Sequence, residues 1–401
     1  MSFLTRQVTI KLAGVPKNSA PIIYPGSIIY GSVEYKSPGE DRVRSITIDF
    51  RGFSKVKRPV KVGQLTHEST ELFHEHQSLY VGEQFTFQDA PRGAIEIPFS
   101  FMVPTMTTTD CTGKYGRQSD EHFVETPHLL PPTVAVEKGD AQVVYHMYAI
   151  VRRYTHGTMS EGVKDAISIH DIDTFKLFAG VYEQSAVEEQ LVERPLSFSR
   201  PHSGRLFSFG RRSSVQSVHV DSNNYRIEVA TMPVIIAGRP CQISTTIRKS
   251  SNSAEGPGRI FELSSIVLVA RTSSRTRDQS VGKASVEESV SKQLMSQGQF
   301  ELPLDRAVTH NISSQSLSDW PPSFKSYSIS RAYTLRIQIS STTELSSNKE
   351  TADIQVPVTL VCLYPEDVFE GLGVLTESTQ HVPPPEYEDS PPYDETMIRD
   401  H

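Results

Sequence analysis

The sequence predicts an all-β protein: two tandem immunoglobulin-like, antiparallel β-sandwich domains followed by a disordered, acidic, proline-containing tail. Three observations carry that prediction. Short segments with strand chemistry recur over residues 7–363, separated by Pro, Gly, Ser and Asp. A weak internal repeat relates one half of that span to the other. From Glu366 onward periodicity stops, and acidic residues and prolines accumulate instead. A chain of 401 residues is long enough for two such domains, each with a core of its own.

In the first half the expected strands are Gln7–Leu12, Ile28–Tyr35, Ser45–Arg51, Glu83–Phe87, Ile95–Phe101, Val143–Arg152 and Ile167–Phe178. Alternation is clearest where Ile46, Ile48 and Phe50 face one way and Thr47 and Asp49 the other. The second half gives Tyr225–Ala230, Cys241–Arg248, Ser264–Ala270, Tyr333–Ser340 and Ile354–Leu363. Helix candidates are sparse. The best is Val286–Met295, where Val286, Val290 and Leu294 recur four apart.

The repeat lies in two places. Leu130-Pro131-Pro132-Thr133 is followed, fourteen residues after Pro131, by Tyr145 at the head of a strand. Trp320-Pro321-Pro322-Ser323 is followed, twelve residues after Pro321, by Tyr333 at the head of another. Each half also opens on an apolar run that reaches a turn, Ile22-Ile23-Tyr24-Pro25-Gly26 in one and Val234-Ile235-Ile236-Ala237-Gly238 in the other. The copies are about 190–212 residues apart, which divides the chain into residues 1–183, a Ser/Arg-rich linker or mobile loop at 184–223, residues 224–365 and the tail 366–401.

The net charge of −7 is unevenly distributed. Residues 366–401 hold ten acidic groups and the single base Arg399, leaving a net +2 for the rest. Arg51, Lys55, Lys57, Arg58 and Lys61 form one basic cluster, a candidate surface for anionic lipid or an acidic cargo segment. A second cluster, Arg194, Arg200, Arg205, Arg211 and Arg212, lies in or beside the linker. There, Arg211-Arg212-Ser213-Ser214 has the Arg-Arg-x-Ser form read by basophilic kinases, so Ser214 is a candidate phosphate acceptor; phosphate would add about −1.5 to −2 charges beside those arginines. No apolar run of about 18 residues is present, and the N-terminus lacks a leader pattern. Three scattered cysteines, Cys111, Cys241 and Cys362, argue against a disulfide framework. Together these features predict a cytoplasmic protein.

The tail contains Pro383-Pro384-Pro385-Glu386-Tyr387 and, shortly after, Pro391-Pro392-Tyr393. Consecutive prolines hold the backbone near polyproline II, so little ordering entropy remains to be lost on docking. With three residues per turn, Pro384 and Tyr387 share the edge that an aromatic-lined WW groove reads. In the second copy Ser390 stands where the first proline belongs, which makes Pro391, Pro392 and Tyr393 a weaker, auxiliary motif.

Several stretches, in this order, resemble those of fungal α-arrestins, the arrestin-related trafficking adaptors. They are Pro25-Gly26-Ser27-Ile28-Ile29-Tyr30-Gly31-Ser32-Val33, Ile46-Thr47-Ile48-Asp49-Phe50-Arg51-Gly52, Ile97-Pro98-Phe99-Ser100-Phe101-Met102-Val103-Pro104 and His128-Leu129-Leu130-Pro131-Pro132-Thr133. In the second half they are Pro322-Ser323-Phe324, Ser330-Arg331-Ala332-Tyr333 and Val356-Pro357-Val358. The resemblance implies arrestin-type domains over about residues 5–365 and an adaptor without enzymatic activity or cofactor. It also implies that Pro384, Pro385 and Tyr387 bind WW domains of a Nedd4-type HECT ubiquitin ligase, with plasma-membrane transporters or receptors as cargo. Cargo would then be ubiquitinated, internalised and sorted, with the adaptor recruited peripherally to plasma membrane and endosomes. An arrestin-fold scaffold is the alternative, either a signalling component of the ambient-pH-sensing kind or a coat subunit of the retromer kind.

Other chemistry has little support. No Gly-x-Ser-x-Gly elbow, P-loop, dinucleotide glycine pattern or His-Glu-x-x-His occurs, and no nucleic-acid partner is expected. His67, His74 and His76 invite a metal reading, with Glu71 and Glu75 close by; lacking a further ligand at suitable spacing, they read as solvated loop histidines, and no metal is expected.

Overall fold

In the computed structural model of the chain, the described residues are 8–15, 21–36, 42–60, 64–81, 94–115, 121–136, 141–154, 167–178, 190–195, 225–249, 259–276, 285–295, 300–314, 317–343 and 346–363. They form twenty strands. The first nine are β1 (Val8–Leu12), β2 (Ile22–Ile23), β3 (Ile28–Lys36), β4 (Arg42–Val60), β5 (Gln64–Val81), β6 (Ala94–Met102), β7 (Val134–Ala135), β8 (Ala141–Tyr154) and β9 (Ile167–Leu177). Then come β10 (Gln190–Pro195), β11 (Tyr225–Thr231), β12 (Val234–Ile236), β13 (Cys241–Lys249), β14 (Arg259–Arg275) and β15 (Ser285–Met295). The last are β16 (Phe300–Glu301), β17 (Val308–Ile312), β18 (Phe324–Lys325), β19 (Ile329–Thr343) and β20 (Ser346–Val361). No helix among the described residues is long and apolar enough to cross a membrane.

Period-two alternation decides which side chains enter the interior. On β4, Ile46, Ile48 and Phe50 are buried, while Thr47, Arg51 and Phe53 lie on the other face. The sheet β2-β9-β8-β4-β5 and the smaller sheet β1-β3-β6 contribute to one hydrophobic cluster, including Val33, Tyr35, Phe50, Phe73, Phe101 and Tyr145. The sheets β12-β20-β19-β14-β15 and β10-β11-β13-β17 contribute to a second, including Ile227, Ile243, Phe261, Leu268, Leu335 and Val356. Each half is thus β-sandwich-like.

The internal repeat is a repeat of hydrogen bonds. Tyr145 Oη donates to the Pro131 carbonyl at 2.6 Å, and Tyr333 Oη donates to that of Pro321. The Leu177 N–H donates to Thr133 Oγ1 at 2.8 Å, and the Leu360 N–H donates to Ser323 Oγ at 2.9 Å. The apolar runs before the two glycine turns form matching short parallel pairs, β2 with β9 and β12 with β20. Gly26 and Gly238 take φ of 82° and 84°, the left-handed region that side chains disfavour.

Three expectations change. Val286–Met295 is no helix: β15 runs antiparallel to β14. Residues four apart share a face in a strand as well as in a helix, so Val286, Val290 and Leu294 could not discriminate the two periods. The polar stretch Gln64–Val81 forms a long edge strand that alternation did not announce. Within 184–223, Gln190–Pro195 pairs with β11 as β10. The expected strand Glu83–Phe87 lies outside the described residues.

Gly52 sits where two rings need the strand to be bare. A Cβ there would meet Phe73 Cε1 and Tyr145 Cε1, each at 2.8 Å, and those rings stack with centroids 6.0 Å apart. Tyr145 is also tied to Pro131, so it has little room to retreat. Gly52→Ala is expected to destabilise the protein by about 1–3 kcal/mol through overpacking. A denaturant midpoint equal to that of wild type would contradict this.

Candidate functional site

The outer face of β4 and β5 gathers a polar cluster around Asp49. Antiparallel register sets Asp49 opposite His76 and Arg51 opposite His74. His74 and His76 are two apart and so share one face of β5. Asp49 Oδ1 lies 3.0 Å from His74 Nε2 and 2.7 Å from His76 Nδ1. An ionised carboxylate only accepts, so both ring nitrogens are the donors in this arrangement. Arg51 Nη2 donates to the other oxygen, Oδ2, at 3.1 Å, and Arg51 Nη1 lies 4.0 Å from Glu71 Oε2.

The three residues differ in exposure. The Asp49 side chain is 7% exposed, against 35% for His74 and 52% for His76. The carboxylate is therefore a floor, with the imidazoles as walls open to solvent. Burial pushes the Asp49 carboxyl up, but hydrogen bonds from His74 and His76 and the charge of Arg51 outweigh it and hold the carboxyl below its ordinary range.

A second polar cluster lies buried where the two halves meet. Tyr327 and Ile329, from the second half, belong to the first half's hydrophobic cluster. Tyr327 Oη is 2.6 Å from Thr107 Oγ1 and donates to the Thr109 carbonyl. Ser54 and Ser328 share a hydrogen bond between their hydroxyls. His128 packs edge-on against Tyr327, with ring centroids 4.6 Å apart. Its Nδ1 is 2.9 Å from the Thr126 carbonyl and therefore carries the proton, which leaves Nε2 to accept from Ser326 Oγ at 3.1 Å. Burial lowers the His128 pKa, opposed in part by the bond to Thr126, and so favours this neutral form.

Arg275 completes the joint. Its Nε donates to the Tyr327 carbonyl at 2.8 Å, and its Nη2 lies 3.2 Å from Glu125 Oε1. The guanidinium sits over the rings of Tyr115 at 4.3 Å and Phe123 at 4.4 Å. Glu125 in turn accepts the Gly113 N–H at 2.8 Å through Oε2.

Of the residues singled out from the sequence, Arg51, Lys55 and Lys57 share the outer face of β4. Arg51 is engaged by Asp49, and Lys55 Nζ lies 5.7 Å from the Phe53 ring centre. Arg58 is on β4, with its side chain outside the description, as is Lys61 entirely. Ser214, Pro384, Pro385, Tyr387, Pro391, Pro392 and Tyr393 also lie outside the described residues. His74 and His76 are not loop histidines but strand residues on β5, bonded to a buried carboxylate. His67 is on the same strand, opposite Lys57. Asp49 was missed as their partner because nothing in the local spacing couples residue 49 to residues 74 and 76; only strand pairing does. The chain matches no family model and, at a significant level, no curated protein.

Proposed function

We propose that this protein is an arrestin-type adaptor. Its tail recruits a Nedd4-type HECT ubiquitin ligase, and its two β-sandwich-like halves engage a plasma-membrane transporter or receptor, which is thereby ubiquitinated and internalised. The observation that carries the reading is the sequence Pro384-Pro385-Glu386-Tyr387, which has the Pro-Pro-x-Tyr form of a WW ligand and follows two halves built on one repeated hydrogen-bonding plan. A single WW contact is weak. Tethering ligase and cargo through one chain raises the effective concentration of ligase around cargo lysines, so weak contacts suffice. Lys55 and Lys57 add attraction of about 1 kcal/mol per basic group near an anionic surface.

A pulldown of the full chain with isolated WW domains of such a ligase tests the reading. Tyr387→Ala is expected to weaken binding by about tenfold or more, and Tyr393→Ala by less. Retention unchanged by Tyr387→Ala contradicts the assigned motif, and no retention of the intact chain contradicts the mechanism. Stable copurification with coat subunits, indifferent to loss of residues 380–401, would favour a scaffold instead.

A further inference from the structure

We propose that Asp49, His74 and His76 form a binding site for one divalent transition-metal ion of the zinc type. One ligand atom from each residue lies within 4.8 Å of the others, which is the span of a single coordination sphere. In a tetrahedral zinc site with bonds of about 2.0–2.1 Å, neighbouring ligand atoms are about 3.3 Å apart. The two nitrogen-to-oxygen separations of 3.0 and 2.7 Å need open by only a few tenths of an ångström or so to reach that geometry. Side-chain torsions on a strand accommodate such a change without moving the backbone.

The donor set selects the metal. Two imidazole nitrogens and one carboxylate oxygen suit zinc, copper, nickel and cobalt; calcium and magnesium ask for more oxygen ligands. Coordination uses the lone pair of a neutral imidazole, so the ring proton that each histidine shares with Asp49 moves to its other ring nitrogen, and His74 coordinates through Nε2 and His76 through Nδ1. The fourth position faces solvent past the exposed imidazoles and takes water.

Arg51 does not block the site, since it holds Oδ2 and leaves Oδ1 to the metal. It orients the carboxylate as an outer partner, and Glu71 offsets part of its charge. The ion would bind edge strand β5 to β4 through side chains as well as through the backbone ladder. The site does not depend on the adaptor reading.

The test uses the full chain, freed of metal by chelation, and titrates zinc chloride by calorimetry, with cobalt(II) absorption and amide exchange as independent readouts. One zinc-binding event is expected to disappear in the His74→Gln/His76→Gln variant, whose exposed substitutions leave the far-ultraviolet circular dichroism of wild type. Asp49→Asn is expected to weaken that event by about tenfold or more, and His146→Gln is expected to leave it intact. Zinc is also expected to slow amide exchange at residues 74–76. The proposal is overturned if wild type takes up no zinc at concentrations of about 100 µM, well above the range of a built site. It is equally overturned if the double variant binds the same number of ions with the same affinity, or if magnesium and calcium bind at this cluster as tightly as zinc.

Discussion

Arg275→Ala is expected to destabilise the described body by about 3–5 kcal/mol and to uncouple the unfolding of its halves. The magnitude follows from what one side chain holds together. At 5% exposure the guanidinium is out of water, and Glu125, itself 23% exposed, is the partner that neutralises it. Truncation leaves that carboxylate part-buried without its cation, removes the donor to the Tyr327 carbonyl and opens a slot between the rings of Tyr115 and Phe123. All of these groups except Tyr327 belong to the first half, whereas Arg275 ends β14 in the second. The lost energy is therefore concentrated in the joint and not in either core. Arg275→Met separates the contributions, because it restores apolar volume between the rings while leaving Glu125 unpaired. It is expected to recover part of the loss, and Arg275→Met combined with Glu125→Gln is expected to recover more. Calorimetric scans check this: separate transitions are expected for Arg275→Ala, and a single transition at the wild-type temperature would contradict the role given to Arg275.

Much of this architecture was legible in the sequence because its determinants are local. Strict alternation around Ile46, Ile48 and Phe50 marks β4, and the recurring Pro-Pro-Thr and Pro-Pro-Ser segments ahead of Tyr145 and Tyr333 mark the repeat that their hydrogen bonds share. The illegible parts are those set by pairing between distant segments. β5 carries few apolar residues, and the ladder shifts register at Gly52/Phe53, leaving Leu72 and Phe73 adjacent and both buried. Period-two reading has no signal to find there. The Asp49 cluster is invisible for the same reason, since it exists only once β4 and β5 are aligned. Arg275 lies in a Ser/Arg-rich stretch that reads as surface, and its burial depends on Tyr115, Phe123 and Glu125, some 150–160 residues away.

Phe50→Ala is expected to cost about 3–5 kcal/mol, located in the first half. Phe50 is fully buried and meets Phe73 edge-on at 5.0 Å, Phe175 edge-on at 5.6 Å and Phe101 tilted at 6.0 Å. Those rings come from β5, β9 and β6, so Phe50 is the point at which the larger and smaller sheets of this half share one aromatic cluster. Deleting the ring removes its burial and three ring contacts, each of the kind worth about 0.5–1.5 kcal/mol beyond area, and leaves a cavity whose walls belong to four strands. Collapse would have to move both sheets, which places the cost toward the upper end. Phe50→Leu fills most of that space and is expected to recover most of the stability, which separates loss of volume from loss of the aromatic contacts. The equivalent lesion in the second half is Phe261→Ala, where the ring meets Tyr225 edge-on at 4.9 Å; in the Arg275→Ala background it should act on the second half's transition. The proposed function makes these core variants informative beyond stability. If Pro384, Pro385 and Tyr387 act as a short linear ligand, WW binding should persist in Phe50→Ala at temperatures where the first half is unfolded, while cargo turnover fails. Loss of WW binding in step with unfolding of the first half would mean that the folded halves present the motif, and that the tail is not an independent handle.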